Sequence, residues 1–214
     1  MNLTIKPLSP KLAADYFDFF DNRAFSDNSP YYPCYCNAFN MTEERIQKEF
    51  FEPIEANGGG KEGLRLSIRA SAEKMVAQGE VQGYLAYDDG ISIGWCNAND
   101  KKNYVRVGDF NLDDMDSVVG PSVPVREDDS LKVKSIVCFE IAPEYRGKGI
   151  ATALLDRVCE DAAKDGYDKV EAYPFQHDSY QPLDYTGPIR LYEKAGFVCV
   201  DRQGKMLVME KKLK

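Results

Sequence analysis

The sequence predicts an α/β domain, and three observations carry that expectation. Apolar runs bounded by turn residues interleave with stretches whose apolar residues recur at helical spacing. A hairpin is written into residues 81–97, where Asp88-Asp89-Gly90 separates two apolar runs. Cys138 to Leu155 then reads as strand, glycine-bearing turn and helix in immediate succession. With 214 residues, 43% of them apolar, a single domain over 1–214 with a substantial core is expected.

Leu3-Thr4-Ile5 is expected as a short first strand. Ser9 is placed to cap a helix that has Pro10 at its first position and Leu12, Tyr16, Phe19 and Phe20 as its apolar stripe. Asp27-Asn28-Ser29-Pro30 is a loop. The segment from Tyr31 to Phe39 is dense in aromatics and holds Cys34 and Cys36. Three readings stay open for Cys34, Tyr35 and Cys36: wall of a substrate pocket, plain core packing, or a soft-metal or redox pair. Zinc normally takes four ligands and the single histidine, His177, is distant, so no metal is expected.

A helix over about 41–50 sets Ile46 and Phe50 on one side, and Asn57-Gly58-Gly59-Gly60 ends it. Leu64, Ile68, Ala72 and Met75 mark another, closed by Gly79. The second hairpin strand, Ile91 to Asn97, carries the only tryptophan, Trp95, either as core or as a platform in the substrate pocket. Residues 98–130 are too long for an ordinary connection and read as an insertion between strands. From Asp109 to Asp129 it holds seven acids, at 109, 113, 114, 116, 127, 128 and 129, against one base, Arg126, which suits either steering of a cationic acceptor or a solvated excursion. After it come a strand over Lys132–Ile141, a helix to about Lys164 and a strand over Lys169–Tyr173. A helix from Ile189 to Ala195 and an antiparallel pair, Phe197–Asp201 with Met206–Lys211, complete the chain.

The turn after Ile141 carries the chemistry. Gly147 and Gly149 leave no Cβ near the turn, so backbone amides can approach a ligand closely. The helix N-terminus at Ile150, Ala151 and Thr152 adds unpaired donors and a partial positive charge, and Arg146 and Lys148 add cations. Together these residues form a cradle for a diphosphate. Gly147-Lys148-Gly149 lacks the Gly-Lys-Ser/Thr ending of a nucleotide P-loop, and Thr152 stands where a dinucleotide fingerprint needs a third glycine.

Arg146-x-x-Gly149-x-Ala151, following Ile141-x-Pro143, resembles the acetyl-CoA-binding motif Gln/Arg-x-x-Gly-x-Gly/Ala of the GNAT acetyltransferase superfamily. Leu191-Tyr192-Glu193-Lys194-Ala195-Gly196-Phe197 is similar to that family's second signature, Leu-Tyr-x-Lys-x-Gly-Phe. The resemblance spans residues 81–211. It is nearest to a bacterial branch marked by Cys-x-Cys, Gly-Trp-Cys, Tyr-Pro and Thr-Gly, here Cys34/Cys36, Gly94-Trp95-Cys96, Tyr173-Pro174 and Thr186-Gly187. The resemblance implies the acyl-CoA N-acyltransferase fold, a central mixed, mostly antiparallel sheet flanked by helices. It implies acetyl-CoA as cosubstrate, with the backbone of Phe139 and Ile141 holding its pantetheine like an added strand. Many members carry Asn seven residues before the signature tyrosine; Tyr185 stands there in this chain.

Acetylation of an amine needs the neutral amine, whereas free amines are mostly protonated near neutral pH. A carboxylate reaching the amine through water can take the proton, and Glu140 is the candidate, its other reading being a structural or orienting acid. Alternation assigns Cys138, Glu140 and Ala142 to one face of the strand and Val137, Phe139 and Ile141 to the other. The resemblance implies Tyr192 as proton donor to the leaving thiolate, its other reading being packing. The expected activity is direct acetyl transfer to an amine of a small acceptor or peptide; the second reading is a non-catalytic acetyl-CoA sensor or scaffold.

A net charge of −8 offers no basic surface for nucleic acid. No run approaches a membrane span, and Met1-Asn2-Leu3-Thr4-Ile5-Lys6 has no signal-peptide shape, so a cytoplasmic, reduced chain is expected. Cys96, Cys138, Cys159 and Cys199 read as small buried hydrophobes. The resemblance admits a homodimer.

Overall fold

A computed structural model of the chain describes residues 1–107, 123–124, 131–176 and 184–214. The seven acids between Asp109 and Asp129, and His177, lie outside the described residues. The first strand, β1 (Leu3–Pro7), is followed by a single 3₁₀ turn and α1 (Ala13–Asn22). Ser9 makes no side-chain cap; Pro10 begins the 3₁₀ turn instead. Thr42 does cap α2 (Glu43–Ile46), accepting the Arg45 amide, and a π-helical turn carries that helix on through Phe51. The long α3 (Gly60–Gln78) ends on Gly79 in the left-handed conformation, as the glycine there requires.

Two antiparallel strands, β2 (Gly83–Asp88) and β3 (Ile91–Asp100), meet at a turn in which Asp89 (φ 46°) and Gly90 (φ 87°) are both left-handed. Thus β3 runs three residues beyond its expected end. The insertion opens with Arg106–Val107 (β4), paired with Val123–Pro124 (β5) as a separate ribbon. The central strand β6 (Val133–Ile141) leads through the glycine turn into α4 (Ile150–Lys164), β7 (Lys169–Ala172), α5 (Ile189–Lys194), β8 (Val198–Gln203) and β9 (Met206–Lys212). Seven strands form one mixed sheet in the order β1-β2-β3-β6-β7-β9-β8, antiparallel except for the β6–β7 pair joined across α4.

Two apolar layers cover the sheet. On one face Tyr16, Phe20, Trp95, Val137 and Cys138 pack with α1, α3 and the Tyr35–Phe39 segment. On the other, Phe139, Ile150, Leu154, Val158 and Tyr192 pack with α4 and α5. The alternation expected for β6 holds except at Val137, which joins Cys138 in the first layer. A bulge explains this: Asn97 faces Cys138 and Ala98 faces Ile136, so Val137 is the extra residue. Glycines make the close packing feasible. A Cβ on Gly83 would lie 2.1 Å from the Cys96 carbonyl and 2.5 Å from the Trp95 ring.

One mismatch in strand length creates the site. β7 pairs only with Val133–Ile136, so β6 from Val137 to Ile141 has no strand beside it on that side. Cys199, expected inside, is exposed on β8, because that strand is the sheet edge and its side chains lie largely open to solvent.

Candidate active site

The gap beside β6 opens into a cleft of about 690 Å³. Phe139, Glu140 and Ile141 form its floor, and the turn residues Arg146, Gly147 and Gly149 with Ile150, Ala151 and Thr152 form one wall. The opposite wall is Asp184, Tyr185, Gly187, Pro188 and the α5 residues Arg190, Leu191, Lys194 and Ala195. Tyr31 and Tyr145 also line it.

The glycine turn has the expected build. Gly147 (φ 74°) and Gly149 (φ 84°) are both left-handed, and Gly149 is the N-terminal cap of α4. A Cβ at either would meet nothing within 4 Å, so the space above the turn is open. The first amides of a 15-residue helix point toward that space. Eight of the nine residues expected to bind the cofactor line the cleft; Lys148 does not, and its Nζ lies 5.0 Å above the Tyr145 ring. Sequence reading missed the cations on the facing wall, Arg190 and Lys194. Their spacing of four on α5, with Leu191 and Ala195 beside them, was the signal.

On β6, the bulge leaves the edge of Phe139 and Ile141 facing away from β3, the orientation expected of a pantetheine-binding strand. The Phe139 amide, however, donates to the Tyr185 carbonyl at 2.6 Å. The chain itself supplies the neighbour there, because β7 has ended and residues 184–187 fold back across the gap.

Glu140, like Tyr31, is among the cleft residues. It is about 9% exposed, and burial pushes its carboxyl up to about 8 against the pull of Arg146. Arg146 Nη2 lies 3.4 Å from Glu140 Oε1. Burial, with Asp184 and Glu140 nearby, also pushes the Tyr31 phenol up to about 12. Tyr31 stacks edge-on against Tyr185, with ring centroids 5.3 Å apart.

Tyr192 is fully buried and its hydroxyl donates to the Thr186 carbonyl at 2.5 Å. It does not line the cleft, yet only a glycine separates it: a Cβ on Gly187 would lie 3.3 Å from that hydroxyl. Burial drives its phenol well above the ordinary range, so it stays protonated.

None of Cys34, Tyr35, Cys36 and Trp95 lines the cleft. Trp95 is wholly buried and meets the Tyr16 ring edge-on at 5.0 Å. Tyr35 is held between the Tyr16 hydroxyl, which its carbonyl accepts, and Asp21, which its own hydroxyl engages. Cys36 Sγ lies 3.0 Å from Cys138 Sγ, and its amide donates to Cys34 Sγ. Contact with Cys36 and burial raise the Cys34 thiol; contact with Cys138 raises Cys36. Against the pull of Cys36, burial raises the Cys138 thiol as well, so all three are neutral, and Cys34, Tyr35 and Cys36 pack outside the cleft while Tyr31 of the same segment lines it. Among the described residues, no group of three or more histidine, cysteine or carboxylate side chains is arranged to hold a metal ion.

The sequence model of the Acetyltransferase (GNAT) family matches residues 45–197. Among solved structures, the paiA N-acetyltransferase of Thermoplasma acidophilum in complex with coenzyme A is 16% identical, with 99% of each chain covered and a TM-score of 0.51. A GNAT-family acetyltransferase from Streptococcus pneumoniae is also 16% identical over the whole of both chains, with a TM-score of 0.51. The yncA protein of Salmonella typhimurium, a putative acetyltransferase with its cofactor acetyl-CoA, is 14% identical, with 100% of this chain and 95% of that chain covered and a TM-score of 0.50. A search of curated proteins finds no match.

Proposed function

The chain belongs to the GNAT acetyltransferase family, and from that premise we propose that it transfers an acetyl group from acetyl-CoA to the amine of a small cationic acceptor. The observation that carries the reading is one cleft lined both by the start of α4 and by a buried carboxyl. The first offers the α4 amides above Gly147 and Gly149, with Arg190 and Lys194 across from them. The second is that of Glu140, with Asp184 and the tyrosines 31 and 185 also in the lining. An anion fits the first and an amine the second.

Acetyl-CoA would lay its diphosphate on the turn amides and its pantetheine along Phe139 and Ile141, and it would supply the activated acetyl group. For pantetheine to pair with the Phe139 amide, the Tyr185 carbonyl has to withdraw. Glu140, ionised, accepts the ammonium proton of the acceptor through water. Tyr192 serves the departing thiolate as a hydrogen-bond donor, reached when the Thr186–Gly187 turn shifts. Its high affinity for its own proton suits a donor that stabilises charge more than one that gives the proton away.

The test is release of free thiol from acetyl-CoA across a panel of polyamines, aminosugars, amino acids and peptides. At least one amine is expected to accelerate release, and Tyr192→Phe to reduce it. Binding of coenzyme A without turnover on any amine would instead make the chain a sensor or scaffold.

A further inference from the structure

Arg146 lines the cleft with the glycine turn, yet its guanidinium is bonded to groups of the protein. Each of the three guanidinium nitrogens of Arg146 has a partner beside Glu140: Nη1 donates to Asp27 Oδ2 at 2.5 Å, Nη2 to Glu140 Oε1 at 3.4 Å, and Nε to the Ile141 carbonyl at 3.0 Å. Its side chain is about one quarter exposed, and that of Glu140 about one tenth. Asp27 lies on the loop leading to Tyr31, 119 residues away in sequence, so the guanidinium ties that loop to the end of β6. We propose that Asp27 and Arg146 are positioning residues that set the charge and aim of Glu140, and that Arg146 is not an arm for the coenzyme's phosphates. The inference rests on the reading of Glu140 as the base.

The logic is a contest for one cation. Arg146 favours the ionised form of Glu140; Asp27 takes part of that cation for itself and adds a like charge nearby. The Ile141 amide also favours the ionised form, and the other groups near Glu140 are weak acids in their neutral forms: Tyr31, Cys34 and Cys36 from the preceding segment, and Cys138 on its own strand. Two neutralising substitutions on the same ion pair should therefore move Glu140 in opposite directions. A merely structural role for the pair would not produce that signature.

The experiment follows the Glu140 carboxyl by carbon NMR on the full chain labelled at glutamate, assigned with Glu140→Gln. The readout needs no turnover. Arg146→Gln is expected to raise the Glu140 midpoint by about one unit, and Asp27→Asn to lower it by about half a unit. With a responsive amine, the acidic limb of kcat/KM follows the same two shifts. Affinity for coenzyme A, read by calorimetry, stays within about threefold in Arg146→Gln, because backbone amides carry the diphosphate. Should Arg146→Gln lose about tenfold or more in that affinity while the midpoint stays put, Arg146 is a phosphate arm and the proposal falls. Shifts in the same direction for both variants would also overturn it. If Arg146→Gln does not fold, Asp27→Asn, on an exposed loop, carries the test alone, and an unmoved or raised midpoint refutes it. Opposite shifts without acetylation of any amine would leave the clamp standing and remove Glu140 as base.

Discussion

Two segments converge on β6, and they are built on different principles. The turn from Arg146 to Gly149 takes its form from local backbone conformation: two left-handed glycines, a proline-started 3₁₀ turn and a helix start. The segment from Tyr31 to Phe39 is held by contacts far away in sequence. The Asn97 side chain donates to the Cys36 carbonyl at 2.7 Å, the Val105 amide donates to Phe39 at 2.9 Å, and Cys36 meets Cys138. A ligand site made of main-chain groups is thus announced by glycines and spacing. A wall made of side chains depends on partners that no local pattern names.

The sharpest way to break this contrast is at Trp95. If its segment is core, Trp95→Ala should cost about 3–5 kcal/mol of stability, read by denaturant unfolding. The folded fraction should keep its affinity for coenzyme A. A small loss of stability with a raised KM for the acceptor would restore the tryptophan to the substrate pocket.

Glu140 gives the next largest effect, and its sign follows from linkage. Its folded value of about 8 lies above the ordinary carboxyl range, so the folded state holds the proton more tightly than the unfolded chain does. The stability from that bound proton is complete below about pH 4, declines as pH rises, and is gone once pH passes about 8. Glu140→Gln keeps a neutral side chain throughout. The variant should match the parent in Tm near pH 4 and exceed it by several degrees near pH 9, at about 2–4 °C per kcal/mol. Equal Tm values at both would mean that Glu140 is solvated.

Much of the fold was legible, and the reasons are local. Asp88-Asp89-Gly90 named its hairpin, Gly79 its helix end and Gly196 the stop after α5, each through a positive φ that glycine or aspartate tolerates. The bulge at Val137 was not legible, since it depends on how Asn97 and Ala98 register against β6. Nor was the engagement of Arg146, whose motif position suggested a phosphate; its partner Asp27 lies in a loop that the fold alone brings near. Nor was the seat of Lys148, whose ammonium lies over the ring of Tyr145. The edge position of β8, which exposes Cys199, is a property of strand order and leaves no trace in the continuous apolar run Phe197-Val198-Cys199-Val200.

Gly149→Glu probes the local half of the contrast. The left-handed φ of 84° costs a non-glycine residue about 1–2 kcal/mol, so the fold survives with a modestly lower Tm. A carboxylate at the helix start repels a diphosphate, and affinity for coenzyme A should fall about 100-fold, or roughly 2.7 kcal/mol. Unchanged affinity would remove the cradle from the turn.

The smallest effect tests the non-local half through thiol chemistry. Only the thiolate reacts quickly with an aromatic disulfide reagent, so both exposure and ionisation set the rate. Cys199 is exposed on the edge strand, whereas Cys36 and Cys138 are buried and Cys34 is half-buried. Contact with Cys36 and burial keep Cys34 protonated, and Cys138 is pushed up to about 11 against the pull of Cys36. One thiol per chain, Cys199, should therefore react in the native state, with Cys34 at least about tenfold slower. Cys199→Ser should remove the fast phase. If the fast phase persists in that variant and maps to Cys34, the Cys34–Cys36 segment is an open, ionisable wall, and its placement behind the cleft is wrong.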